Sequence, residues 1–343
     1  GFNLDLVRGL RETTAGRTIL IAQGSIVDPE MAEAALEEGL CDAVEMTRAQ
    51  IADPELGTKV RAGGLERVRP CLLCNQRCSV RDARNPVVSC TVDPSAGWEN
   101  VELLHEPARR TSVLVVGAGP AGLESARLAA SLGHEVVVRE SATGVGGAAR
   151  TMARLPGLDR VDRFIDWLAR ECEIEGVTIE TGVTVDDDTV AAHDGPVLLA
   201  TGSTASASEL QVEPLPVVDG RAALEALDGA GELPPGAVAV WDPLGGTLGL
   251  GLAERLASSG RTTTLITPDL IAGKDLALTG DLAPGATRLQ QAGVRIVKTA
   301  KVVADAAEGL TVEDRYTGVR AAVEATFVVD ARHREPELDL WSE

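Results

Sequence analysis

A chain of 343 residues is long enough for two or three domains, each with its own core. Its formal net charge of −20, spread along the whole length, excludes a basic stripe that could release counterions from phosphates, so no nucleic-acid partner is expected. Apolar residues make up 44% of the chain, but their runs are short; none nears the about 18–20 residues of a membrane span, and no charged-then-apolar leader opens the chain, so a cytoplasmic protein without a membrane partner is the expected class.

The chain begins Gly1-Phe2-Asn3, without Met, in what reads as mid-helix; a truncated product or one subunit of a split enzyme is the expectation. Residues 3–12 carry apolar side chains at helical spacing. Residues 18–22 read as a buried strand ending in Gln23-Gly24-Ser25. Asp28-Pro29-Glu30 starts a helix, with Asp as N-cap, that runs to Gly39, a residue suited to a left-handed C-terminal cap. A strand at 42–46 leads to Thr47-Arg48, and Asp53-Pro54-Glu55 opens a second capped helix. This alternation is the rhythm of a βα barrel or of a doubly wound sheet.

Residues 69–104 change character, with cysteines, Asn, Pro and Arg and weak periodicity. From 112 the α/β rhythm returns: strand 112–116, helix 120–132, strand 135–139, helix 159–173, strand 177–180 and strand 197–200. After the seam Pro234-Pro235-Gly236 comes a second strand–glycine loop–helix–strand unit at 237–267. Repetition of that unit predicts two nucleotide-binding domains, one inserted in the other, with residues 325–330 as the strand that returns to the first.

Three motifs carry chemistry. Cys71, Cys74, Cys78 and Cys90 have metal-ligand spacing, which favours a reducing compartment over disulfides. Three close thiolates and a fourth a little further on suit a four-iron cluster. A four-thiolate zinc site is the alternative, although the second pair is too far apart for a knuckle. Cys41 and Cys172 lie in apolar contexts and read as core thiols. The loop Gly117-Ala118-Gly119-Pro120-Ala121-Gly122 follows a strand and opens a helix, and Glu140 closes the next strand. Gly117, Gly119 and Gly122 permit the tight turn and close approach, Ala121 sits in the first helical turn that receives a pyrophosphate, and Glu140 is placed for a ribose hydroxyl. Gly147, Thr201 and Gly202 either approach the same ligand or form ordinary turns. The second glycine loop is poorer: Asp242 and Pro243 stand where its first glycine would fall, and an inward carboxylate would repel pyrophosphate.

The runs Asp28-Pro29-Glu30-Met31-Ala32, Ile51-Ala52-Asp53-Pro54, Arg69-Pro70-Cys71-Leu72-Leu73-Cys74-Asn75-Gln76-Arg77-Cys78 and Val115–Gly122 resemble the C-terminal half of the iron–sulfur flavoenzymes of the old yellow enzyme type, which include 2,4-dienoyl-CoA reductase and the trimethylamine and dimethylamine dehydrogenases. Leu252–Ala257 and Thr264–Pro268 look more like the amine-dehydrogenase and mycofactocin-associated branches. The resemblance implies a [4Fe-4S] cluster rather than zinc, FMN on a TIM barrel, and FAD or only its ADP part on the Gly117 loop. It implies that Gly24, Ser25, Thr47 and Arg48 form the FMN phosphate loop at the end of the last two barrel strands. Departures weaken parts of this: the family commonly has Arg at Ser25, small residues at Glu45 and Thr47, and in the reductase a Gln at Ala148. The first six barrel strands are absent, and with them the family's proton donor, so no catalytic residue is assigned.

The expected architecture is therefore α/β: the end of a TIM (βα)8 barrel at 1–68, an iron–sulfur segment at 69–104, an FAD- or ADP-binding domain at 105–230 with 325–343, and a second, NAD(P)-type Rossmann-like domain at 231–324. The expected function is the electron-transfer half of an oxidoreductase, either an amine-type dehydrogenase or an NADPH-dependent enoate or 2,4-dienoyl-CoA-type reductase. A small-molecule substrate and an electron donor or acceptor would be its partners, with NAD(P)H a further cofactor candidate. The alternative is a non-catalytic electron-transfer or scaffolding subunit, self-associating or paired with a separate barrel subunit.

Overall fold

The computed structural model describes residues 3–79, 87–101, 109–205, 210, 212–305 and 309–341. The N-terminal unit runs α1 (Leu4–Thr14), β1 (Ile21–Ala22), α2 (Pro29–Glu37), β2 (Ala43–Val44), α3 (Thr47–Ala52) and α4 (Leu56–Arg61). β1 and β2 pair in parallel, Ile21 with Ala43 and Ala22 with Val44. The strands are shorter than the expected 18–22 and 42–46, because among the described residues no third strand joins this ribbon to extend the ladder. Ile19 and Ile21 are exposed, although parallel strands are ordinarily covered on both faces.

Two capping expectations are corrected. The Asp28 carboxylate makes no cap bond to α2, because Arg160 and Arg163 hold it instead. Asp53 ends α3, and α4 opens three residues on, with Glu55 rather than Asp53 in the cap position; the buried Asp53 carboxylate accepts from Glu55 N, takes an ion pair from Lys59 and a backbone bond from Arg69 N. Thr47 and Arg48 likewise sit in the first turn of α3, not in a loop.

The first Rossmann-like unit comprises β3 (Ser112–Val116), α5 (Pro120–Ser131), β4 (Glu135–Glu140), α6 (Gly147–Met152), α7 (Arg160–Ile174), β5 (Thr178–Thr181), α8 (Asp187–Ala192) and β6 (Val197–Leu199). Its parallel sheet has the order β5-β4-β3-β6. Apolar residues recur on one face of α7, so that Phe164, Ile165, Trp167, Leu168 and Cys172 are buried. Ile165 and Leu168 are fully enclosed, each contributing about 1.5–3 kcal/mol of burial. The same core takes in Ala49, Ala52, Leu56, Cys71 and Val92, so α3, α4 and the cysteine segment pack directly on this unit.

After β7 (Ser203–Ala205) the chain enters a second unit: β8 (Val217–Asp219), α9 (Gly220–Leu227), β9 (Val238–Trp241), α10 (Thr247–Ser258), β10 (Thr263–Ile266), α11 (Leu276–Thr279), α12 (Leu282–Gln291) and β11 (Arg295–Val297). An antiparallel meander of β12 (Ala300–Asp305), β13 (Gly309–Asp314) and β14 (Arg320–Val323) follows, then β15 (Phe327–Asp330) and β16 (Arg334–Pro336). The second sheet is parallel with order β11-β10-β9-β15-β8. β15 therefore does not return to the first unit as expected; it pairs with β9 and β8 inside the second sheet. Four buried residues in a row suit a central strand of a covered parallel sheet. The return comes later, where β16 pairs antiparallel with β7. The second unit also begins before residue 231, since β8 and α9 belong to it.

Candidate functional site

β3 delivers the chain to Gly117, whose φ of +103° is open only to glycine and whose missing Cβ leaves room for the Ala200 carbonyl oxygen. A Cβ on Gly122 would strike the carbonyl oxygen of Gly117, so α5 can press against the turn only with glycine there. Pro120 occupies the first turn of α5, and the helix N-terminus faces the opening, where its unpaired amides favour an anion.

A cavity of about 520 Å³ lies over this turn. It is lined by Gly117, Gly119, Ala121, Glu140, Gly147, Thr201 and Gly202, which brings together every expected residue except Gly122, which packs beneath. Glu140 is buried; one carboxylate oxygen accepts from Ala118 N at 2.7 Å and the other from Ala142 N at 2.8 Å. It thus braces the glycine turn, takes a further bond from Ser141 Oγ at 3.3 Å, and lines the cavity. The returning C-terminal segment closes one side: Thr201 Oγ1 donates to the Glu337 carbonyl at 2.9 Å, and Glu337 N donates to Gly202 O at 3.1 Å. Arg139, Arg221, Glu337 and Asp339 also line the space. No local motif marks them; only the topology brings the tail and α9 to this opening.

The corresponding turn of the second unit is differently built. Asp242 is fully buried at the end of β9, and its Oδ1 accepts from Leu244 N at 3.2 Å and Gly245 N at 3.0 Å. Its carboxyl therefore occupies amides that a pyrophosphate would use. Oδ2 has no hydrogen-bond partner among the described residues, and burial pushes the Asp242 pKa upward.

The four cysteines of the motif line one partly open cavity together with Arg48, Asn75, Arg77 and Thr91; Cys71 is buried and the other three are half-buried. Leu73 and Asn75 adopt φ of +58° and +53°, so the backbone coils around Cys74. Cys71 Sγ accepts from Leu73 N at 3.4 Å, and Cys74 Sγ lies 3.5 Å from Thr91 Oγ1. Arg160 Nε donates to the Cys71 carbonyl at 2.7 Å while its two terminal nitrogens hold Asp28 at 2.8 and 2.9 Å, tying the start of α7, the cysteine segment and the start of α2 together. Burial raises the pKa of Cys71 and of Cys78. Among the described residues, no group of three or more His, Cys, Asp or Glu stands close enough for a single metal ion. Cys41 and Cys172 are buried and apart from this cavity; desolvation pushes the Cys172 thiol up to about 12, as befits a core thiol.

Gly24 and Ser25 both take left-handed backbone, φ +103° and +59°. Ser25 Oγ accepts from Arg48 at 2.6 Å, so these two residues converge. Thr47 does not join them; its hydroxyl donates to Glu45 Oε1 at 2.6 Å.

The model of the NAD(P)-binding Rossmann-like domain matches residues 115–172. NADH oxidase of Thermoanaerobacter brockii is 40% identical over 188 residues, 54% of this chain and 29% of that protein. N,N-dimethylglycine/sarcosine dehydrogenase of Chromohalobacter salexigens is 32% identical over 279 residues, 79% of this chain and 40% of that protein. The structure of histamine dehydrogenase from Rhizobium sp. 4-9 superposes with a TM-score of 0.88 at 27% identity, covering 99% of this chain and 51% of that one. The chain spans less than half the length of these curated relatives and about half of the solved structure. It is a homologue of the C-terminal half of flavoenzymes of the 2,4-dienoyl-CoA reductase and trimethylamine dehydrogenase type.

Proposed function

We propose that this chain is the electron-handling portion of a cytoplasmic, flavin-dependent oxidoreductase. Residues 1–68 would be the last βα units of a TIM barrel, residues 69–104 the [4Fe-4S] segment, and the two parallel sheets a FAD- or ADP-binding domain and a second Rossmann-like domain. The observation that carries the reading is the cysteine cavity: four free thiols line one space whose described lining includes two arginines and no carboxylate, within a chain of net charge −20. A dianionic or trianionic iron–sulfur cage fits that donor set and that local charge. When bound, the cluster would supply one-electron transfer to or from a two-electron flavin.

The chain's own residues would then have these roles. Cys71, Cys74, Cys78 and Cys90 would ligate the cluster. Gly117, Gly119, Ala121 and Gly122 would seat a nucleotide diphosphate at the start of α5, Glu140 would accept from a ribose hydroxyl, and Gly147, Thr201 and Gly202 would flank it. Ser25 and Arg48, with Gly24, would meet an FMN phosphate. The self-occupied Asp242 turn disfavours NAD(P)H on the second sheet, which supports the amine-dehydrogenase direction over the NADPH-dependent reductase. A small-molecule substrate would be handled outside this chain. The exposed Ile19 and Ile21 on the open β1–β2 ribbon favour further βα units as its neighbour, from the same or a partner chain.

Anaerobic purification followed by iron, sulfide and nucleotide analysis tests the reading. About four irons and four sulfides per chain, with one adenine nucleotide, are expected. Zinc without nucleotide refutes it, and reduction by NADPH faster than by any amine reverses the preferred direction.

A further inference from the structure

Arg48 was expected on a flavin phosphate, yet its side chain also lines the cavity of the four cysteines. One terminal nitrogen donates to Ser25 Oγ and the other to Asn75 Oδ1, both at 2.6 Å. Ser25 belongs to the turn after β1, and Asn75 lies between Cys74 and Cys78, so a single guanidinium spans both segments. Its two partners are uncharged, and it makes no ion pair with a described residue. The half-buried Arg48 thereby differs from Arg69 and Arg160, and it is less exposed than Arg77, the other arginine on the cavity wall, which likewise makes no ion pair with a described residue. Arg69 is offset by Asp93 and Glu124, and Arg160 by Asp28.

We propose that Arg48 sets the reduction potential of the iron–sulfur cluster, held in place for that task by Ser25 and Asn75. The proposal rests on the reading of the four cysteines as cluster ligands. Each added electron increases the negative charge in the cavity, and a partly desolvated cation on its wall, without an ion-pair partner among the described residues, favours the reduced state. Loss of that cation therefore moves the midpoint to more negative values. A phosphate contact for Arg48 alone would leave the cluster midpoint independent of it.

Redox titration followed by EPR, on the anaerobically prepared chain, tests this in wild type, Arg48→Gln, Arg48→Lys and Ser25→Asp. Ser25 sits at φ +59°, a region that Asp tolerates, so the Asp variant places a carboxylate against Arg48 without removing it or touching the cysteine segment. Arg48→Gln and Ser25→Asp are expected to have a more negative midpoint at unchanged iron and sulfide content, with Arg48→Lys in between. An unchanged midpoint at equal iron overturns the proposal; if Arg48→Gln loses iron, Ser25→Asp decides by the same criterion. Absence of iron from the wild-type chain overturns the cluster reading and this proposal with it, a failure distinguishable from an unmoved midpoint.

Discussion

Asp28→Ala should cost about 2–4 kcal/mol of unfolding free energy, far more than a surface ion pair. The Asp28 and Arg160 side chains are only 14% and 13% exposed, and the guanidinium binds the carboxylate with both terminal nitrogens. Removing the carboxylate strands a part-buried cation whose Nε still reaches the Cys71 carbonyl. Arg163, half exposed, adds little to the pair. Burial works to raise the Asp28 pKa, but Arg160 and Arg163 together outweigh it and hold the pKa below 3.8. The stabilisation is therefore complete above that value and is lost as pH falls through the lower, folded-state pKa. Urea unfolding at neutral pH, in a double-mutant cycle with Arg160→Met, should give a coupling of about 1–3 kcal/mol. A single-variant cost under about 0.5 kcal/mol, or additivity of the two changes, would refute the idea that this pair carries energy between α2 and α7.

Gly122→Ala should abolish adenine-nucleotide binding and lower stability by about 1–3 kcal/mol, because its methyl meets the Gly117 carbonyl; nucleotide retained after gel filtration would contradict this. Serine at any one of Cys71, Cys74, Cys78 or Cys90 should bleach the visible absorbance and lower iron content while far-UV circular dichroism persists; colour unchanged in all four variants would remove the cluster. Asp242→Asn should raise the urea midpoint at neutral pH. An acid with a raised folded-state pKa costs stability as pH climbs from the unfolded value near 3.8 to the folded one, and the penalty persists above. The amide keeps the acceptor for Leu244 N and Gly245 N and removes that penalty; a lower midpoint in this variant would mean that the buried carboxyl is ionised and useful.

The glycine turn, Glu140 and the cysteine spacing could be read from the chain because each is a short-range arrangement: the strand, tight turn and helix start lie within about ten residues, and Glu140 and the four cysteines follow at fixed short spacings. Sheet membership is not local. Phe327-Val328-Val329-Asp330 reads as a buried strand in any setting, and only its pairing with Val238–Trp241 assigns it to the second sheet. Asp28 before Pro29 carries a capping signal, and the tertiary attraction of an arginine 132 residues away overrode it. Arg48 after a strand reads as a phosphate ligand or a surface cation. Its approach to the cysteine segment follows from packing of α3 on the same core as Cys71 and Val92, which no motif spells out. Asp242 was recognisable as an obstacle to a pyrophosphate, but its grip on the two loop amides required coordinates.

The bond between Gly202 and Glu337 ties residues 135 positions apart across the mouth of the Gly117 cavity. Between them the polypeptide makes an entire second sheet and its meander. During synthesis the turn that receives the nucleotide emerges before its rim, which waits for Glu337 and the second sheet to emerge and find their places. Nucleotide capture should thus coincide with late docking events rather than with first collapse, and retention of the ligand becomes a sensitive gauge of whether the distal sheet has assembled correctly.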